Sequence, residues 1–271
     1  MSSATSLLNK TWKLKTPHEH SPLIDRICTH RKINLDESEE LHSPWLLKDL
    51  KKSVERIQSA IQKKERIMIF GDYDVDGVTG ATILYLGLKE LGANVSVRLP
   101  HREKDGYGLN THVLDECSQA EVKVVITVDC GISNVKEVEY GNNLGLDIII
   151  TDHHTIPPAL PNAYAIVNPK QTDCEYPEKE IVGSVVAFKL ICALFETTNY
   201  ELQTTNYLDL AALATVADCA PLRGENRTIV KKGLLQFANT QHRGLRKLAE
   251  SFDLLPSSSL NYRPSTIDHR L

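Results

Sequence analysis

No run of apolar residues in this sequence approaches the roughly 18 that a membrane span requires. A soluble protein is expected. The opening stretch, MSSATSLLNKTWKLKTPHEHSPLIDRICTH, carries charges and prolines where a secretion signal needs an apolar segment, so a cytoplasmic location is expected. The six cysteines (Cys28, Cys117, Cys130, Cys174, Cys192, Cys219) form no CxxC pair and keep no regular spacing. That argues against a disulfide framework and against a zinc knuckle. There is no internal repeat, no low-complexity tract and no surplus of positive charge. Thirty-one Lys and Arg stand against thirty-five Asp and Glu, a net charge of −4, which speaks against a dedicated cationic surface for wrapping nucleic acid. Chemistry on phosphates stays open, because carboxylates that hold divalent cations lower the formal charge while the bound ions restore positive potential locally. With 271 residues, 41% hydrophobic and 24% charged, the chain can bury a core as one large or two medium domains.

Residues 1 to about 20 read as an extended lead-in. Helical material follows: LIDRICTHRKI, a break at Ser43 and Pro44, then WLLKDLKKSVERIQSAIQKK. In the last segment Leu46, Leu50, Val54, Ile57 and Ile61 recur every three or four residues, with Lys and Glu on the wet side. From residue 65 the texture changes to short β-branched runs: RIMIF (66–70), NVSVRL (94–99), VKVVITV (122–128), LDIII (146–150) and AYAIV (163–167). Each is apolar nearly throughout and bounded by Gly, Asp or Pro, as strands buried on both faces of a parallel sheet are. ATILYLGLKELG, THVLDECSQ and SNVKEVEYGNN, between the first four runs, are long enough for crossover helices. After residue 180 helices take over, in VGSVVAFKLICALFE, NYLDLAALATVAD and ENRTIVKKGLLQFAN. The expected fold is α/β: a doubly wound, mostly parallel five-stranded sheet with an N-terminal helical lead-in and a C-terminal helical segment. The expected divisions are residues 1–64, an extension and helices packing on the core; 65–248, the main domain; and 249–271, an irregular tail, since SSSLNYRPSTIDHRL has turn residues and little periodicity.

In an open parallel sheet ligands bind outside the carboxyl ends of the strands. Here those ends are acidic. RIMIF runs into Gly71, Asp72, Tyr73, Asp74, Val75, Asp76, Gly77; VVITV runs into Asp129, Cys130, Gly131; DIIIT runs into Asp152, His153, His154. Carboxylates so gathered cannot all stay ionised without cations, because like charges a few Å apart raise one another's pKa. A divalent metal site is expected. Oxygen donors with imidazole suit Mn²⁺ or Mg²⁺, with Mn²⁺ the tighter. Asp74 and Asp76 are two residues apart and, on an extended strand end, would face the same side. A further candidate is Asp218 in LAALATVADCAPL, at the end of an apolar helix, where an acid opposes the helix dipole unless something positive faces it. A calcium EF-hand loop starting at Asp72 would need Glu at its twelfth position and has Ile83. The string from Asp74 to Val78 also resembles a haloacid dehalogenase nucleophile loop, a reading that leaves the TDHH cluster without a task. His18, His20, His30, His42 and His242 are scattered among polar residues and read as surface, and VVAFKLICALF reads as core.

GDYDVDG, VDCG, TDHH and a later VAD, in this order, resemble the four motifs of the DHH phosphoesterase superfamily, and within it the RecJ-type single-strand-specific exonucleases. The resemblance runs from about Trp12 to about Leu248 and includes LPHREKDGYGLN, NPKQTDCEYPEKEIVGSVVAFKL and DLAALATVADCAPLRGENR. The pyrophosphatase branch has a histidine where this chain has Phe70, which favours the RecJ-type branch. The resemblance implies that Asp74, Asp76, Asp129, His153 and Asp218 bind two metal ions, with Asp129 bridging. It makes Asp72 and Asp152 supports or further ligands, His154 a group facing the scissile phosphate, and Arg102 a phosphate contact. It implies two-metal hydrolysis of single-stranded DNA from the 5′ end in DNA repair and recombination, with a single-strand-binding protein or helicase as partner. It also implies a DHH-associated domain and an oligonucleotide-binding domain after Leu248, which this sequence does not show, so impairment by truncation is an expectation too. Two other readings stand beside it: a non-catalytic relic or interaction module of the same fold, and a phosphoesterase for small oligonucleotides.

Overall fold

Short runs of β-branched residues with no polar face are stable only between two helical layers, and that is where the strands lie, apart from the largely exposed edge run at 94–98. The computed structural model describes residues 22–31, 40–101, 106, 108–198, 204–252 and 254. The chain divides into two units, Met1–Glu39 and Glu40–Leu271. In the first, Leu23–Arg31 form helix α1, with Asp25 in its first turn and His30 and Arg31 in its last, charges that suit the helix dipole.

The second unit holds a five-stranded sheet. Its strands are β1 (Arg66–Gly71), β2 (Asn94–Arg98), β3 (Val122–Val128), β4 (Asp147–Thr151) and β5 (Ala165–Val167). Their order is β2-β1-β3-β4-β5, and every neighbouring pair is parallel. The expected strands all form. β5 is shorter than AYAIV: Tyr164 N–H still donates to the Ile148 carbonyl at 2.8 Å, but the backbone bends there and the regular ladder starts at Ala165. Helices α2 (Leu50–Gln62), α3 (Val75–Glu90), α4 (Thr111–Gln119), α5 (Val135–Asn143), α6 (Gly183–Glu196), α7 (Leu208–Ala217), α8 (Gly224–Phe237) and α9 (Arg243–Ser251) complete the unit.

Alternation along the strands builds two cores. Ile67 and Ile69 of β1, Val124, Ile126 and Val128 of β3, and Ile149 of β4 pack with apolar residues of α2, α3, α6 and α7. Phe70, Val125, Ile148 and Ile150 face the other way, against Val113 and Leu114 of α4 and Val138 of α5. Helix α6 is apolar on every side, and its residues are buried from Gly183 to Phe195, as a central helix must be. Gly80 lets α3 approach the sheet and α6: a Cβ there would lie 2.5 Å from Val128 Cγ1 and 3.0 Å from Ser184 Cα. Lys189 on α6 is fully buried too, with its ammonium 2.5 Å from Glu225 Oε1 on α8 and 2.6 Å from the His42 carbonyl. The Tyr176 hydroxyl donates to the other Glu225 oxygen.

Two expectations shift. Helix α9 runs to Ser251, past the expected boundary at 248, because Leu245 and Ala249 are buried one turn apart and Leu245 joins the larger core; residues 255–271 lie outside the described residues. His242, expected on the surface, is half-buried, with Nε2 3.5 Å from Asp209 Oδ1 and its ring stacked on Tyr207. Among the described residues, no helix is long and apolar enough to cross a membrane.

Candidate metal centre

The sheet's hydrogen bonding continues one residue past the strands, and those residues are the acids. Asp72 N–H donates to the Val128 carbonyl (3.2 Å), Asp129 N–H to Thr151 (3.0 Å) and Asp152 N–H to Val167 (3.1 Å). Register then brings Asp72, Asp129 and Asp152 to one rim, all buried. The rim lies where the strand order reverses: the chain leaves β1 for β2 on one side and then crosses to β3 on the other. Asp129 has a positive φ of 60°, a backbone conformation that non-glycine residues seldom take and that clusters at functional sites.

Asp74 and Asp76 do not sit on an extended strand end. Asp74 is the N-cap of α3, its Oδ1 accepting the Gly77 N–H at 2.9 Å, and helix begins at Val75. Asp76 is therefore in the first helical turn, and its two oxygens accept N–H groups from another helix, Gly183 (2.6 Å) and Ser184 (2.8 Å) at the start of α6. Asp218 ends α7. The side chain that faces it is His153, whose Nε2 lies 3.8 Å from Asp218 Oδ2, 3.7 Å from Asp76 Oδ2 and 3.0 Å from Asp129 Oδ1.

Three sets of side chains each bring one possible ligand atom apiece within 4.8 Å of one another: Asp129, His153 and His154; Asp76, His153 and Asp218; and Asp72, Asp74 and Asp129. Asp129 belongs to two of the sets, as a bridging ligand would, and so does His153. Asp152 belongs to none. Its Oδ2 accepts the Ile132 N–H, and its Oδ1 accepts the N–H groups of His153 and His154 and meets His154 Nδ1 at 2.7 Å. It is a support for the two histidines. Arg102 lies outside the described residues.

The electrostatics fit a cation. Burial, together with Asp76, Asp74 and Asp152, pushes the Asp129 carboxyl up to about 11. Burial likewise raises Asp76 and Asp72. Asp129 Oδ1 is buried and makes no hydrogen bond, although His153 Nε2 lies 3.0 Å away. An unpaired carboxylate oxygen among other carboxylates is what a divalent ion satisfies. Burial alone would raise Asp152, but the hydrogen bond and charge of His154 win and hold it below the usual range. The same bond raises His154, whereas burial lowers His153 and keeps it in the neutral form a metal ligand needs. The donors are carboxylate oxygens and imidazole nitrogens with no thiolate among them, a set that suits Mn²⁺ or Mg²⁺.

Reading the strand ends alone misses Gly183, Ser184 and Asn168. Asn168 follows β5 on the same rim, fully buried, and its Nδ2 donates to the His154 carbonyl at 3.0 Å. A polar residue directly after an apolar strand is a signal that could have found it. Nothing local marks the backbone N–H groups of Gly183 and Ser184.

A doubly wound parallel sheet with carboxylates and paired imidazoles at its switch point defines an α/β protein whose strand-end rim can hold divalent cations. The DHH family's N-terminal domain matches residues 66–215. The chain belongs to this family. It is 41% identical over 237 residues to the single-stranded-DNA-specific exonuclease RecJ of Bacillus subtilis, covering 84% of this chain and 30% of that protein. The Escherichia coli protein of the same name is 36% identical over 251 residues, covering 86% and 44%. Among solved structures, exonuclease RecJ bound to manganese superposes with a TM-score of 0.70 at 40% identity, over 76% of this chain and 52% of that one. RecJ of Thermus thermophilus in complex with Mn²⁺ gives 0.72 at 35%, over 83% and 32%. The chain thus spans less than half the length of these curated relatives.

Proposed function

We propose that this chain is the catalytic core of a RecJ-type nuclease, hydrolysing phosphodiester bonds of single-stranded DNA from the 5′ end with Mn²⁺ or Mg²⁺, in cytoplasmic DNA repair and recombination. A single-strand-binding protein or helicase is the proposed partner. The observation that carries the reading is the convergence of Asp74, Asp76, Asp129, His153 and Asp218 around ligand positions on one rim. These side chains would hold two ions, with Asp72 contributing beside Asp74. When bound, such ions make hydroxide available near neutral pH and neutralise charge on the phosphorane-like transition state.

The protein's own groups divide the remaining work. His153, 13% exposed, is enclosed by acids, whereas His154, 44% exposed, is the imidazole a phosphate can reach. Asp152, held below the usual carboxylate range, meets His154 at Nδ1, so Nδ1 would carry a proton and Nε2 is the ring nitrogen left for other contacts. The hydrogen bond to Asp152 raises the His154 pKa, which favours the charged form that a phosphate oxygen would meet. Asn168 fixes the backbone beneath it. Arg102, in the LPHREKDGYGLN segment, is proposed as a second phosphate contact.

The test is to incubate the purified chain with Mn²⁺ and 5′-labelled single-stranded DNA, duplex DNA and dinucleotides. Mononucleotides released from single strands only support the proposal. Cleavage of dinucleotides only would redirect it to small oligonucleotides, and a folded chain that binds Mn²⁺ without turnover would make it a non-catalytic member of the family.

A further inference from the structure

Asp76 reaches the centre from the first turn of α3, where a carboxylate is drawn toward the unpaired N–H groups of its own helix. It is instead held from outside. Each of its oxygens takes one N–H from the start of α6, Gly183 at 2.6 Å and Ser184 at 2.8 Å, residues 107 and 108 positions away in the chain. Two donors on two oxygens fix both the direction and the roll of the carboxylate. The same turn of α6 also touches Asp129. A Cβ at Gly183 would stand 2.8 Å from Asp129 Cβ, 2.9 Å from its Cα and 3.1 Å from its Oδ1, so no other side chain fits without displacing that residue. Two successive peptide units, joined at the Gly183 Cα, thus border a member of the Asp76, His153, Asp218 set and a member of the Asp129, His153, His154 set.

We propose that Gly183 and Ser184 are positioning residues of the metal centre, the N–H pair orienting Asp76 and the bare Cα of Gly183 seating Asp129, so that the two ligand sets meet at His153. The Ser184 hydroxyl is buried near Asp76 and is not in hydrogen-bonding geometry, so its effect on that carboxylate is smaller than that of the backbone N–H at 2.8 Å. This rests on the reading of the rim as a metal centre.

Mn²⁺ binding to the full chain, followed by calorimetry and by the electron paramagnetic resonance signal of free Mn²⁺, tests it. Gly183→Ala is expected to weaken binding at least about tenfold, the range seen when groups that orient metal ligands are removed. Ser184→Pro removes one N–H at a position in the first helical turn where proline is tolerated, and the same loss is expected; it decides the matter if the alanine variant does not fold. Ser184→Ala keeps the N–H and should bind like wild type. Gly87→Ala is the control for general damage: its Cβ would strike Ile191 at 2.7 Å, disturbing the same α3–α6 contact away from the acids, and affinity should not change. Wild-type affinity in Ser184→Pro, or an equal loss in Ser184→Ala or Gly87→Ala, would overturn the assignment. A wild-type chain that takes up no Mn²⁺ refutes the metal reading itself before any variant is compared.

Discussion

Replacing Asp129 by Asn should stabilise the metal-free protein while weakening its hold on Mn²⁺. In the unfolded chain Asp129 titrates near its ordinary 3.8; in the fold its carboxyl is pushed up to about 11 by burial and by Asp76, Asp74 and Asp152. Between those limits the native state binds one more proton than the unfolded state, so stability falls as pH rises through this window. At pH 7 the cost is set by the distance from 3.8 to 7, which at 1.36 kcal/mol per pH unit is about 4 kcal/mol. The neutral, isosteric amide removes it. For a chain of this size each kcal/mol moves the melting temperature by about 2–4 °C, so Asp129→Asn should melt on the order of 10 °C above wild type in EDTA at pH 7. At pH 5 the advantage should shrink to about 1–2 kcal/mol. Mn²⁺ closes the gap: at a thousand times the dissociation constant wild type gains about 4 kcal/mol that the variant largely forgoes, which cancels the difference at pH 7 and reverses the order at pH 5. Differential scanning fluorimetry at pH 5 and 7, with EDTA and with Mn²⁺, reads all four conditions. A variant that melts below wild type in EDTA at pH 7, or an advantage that does not shrink at pH 5, would refute the reasoning.

Lys189→Met strands the buried Glu225 carboxylate and should cost about 3–5 kcal/mol in urea unfolding, most of it recovered when Glu225→Gln is added; a double variant no better than the single contradicts the pairing. His242 is held above its ordinary 6.5 by Asp209, so its stabilising contribution is complete below that value and disappears as pH rises through the raised one. Wild type should accordingly exceed His242→Gln in stability at pH 5.5 and match it at pH 9, and an equal difference at both would count against the ion pair. Asp152→Asn should lower hydrolysis of single-stranded DNA by about 10–100-fold, more than it weakens Mn²⁺ binding, because it releases His154 and takes no ligand away; an affinity loss as large as the activity loss would count against a role through His154.

The strands could be read from the chain because each is a short β-branched run whose burial needs no knowledge of its neighbours. VKVVITV is β3 residue for residue, and THVLDECSQ is α4. Helix α3 begins six residues before the expected ATILYLGLKELG, since the cap is supplied by Asp74, which competed with its reading as a strand-end acid. The acids themselves were legible from their place after apolar runs, and Asp218 from its conflict with the helix dipole.

By itself, then, the order of residues determined which segments are strands, that they lie parallel, and that carboxylates and imidazoles follow them, because these depend on periodicity and on chemistry within a few positions. Only the tertiary structure decided the division of labour among the acids. Whether Asp152 meets an ion or a histidine, and whether Asp76 turns to its own helix or to Gly183 and Ser184, depends on donors supplied by distant segments. Hydrogen bonds are short-ranged and directional, and the groups that make them here are backbone N–H groups common to nearly every residue.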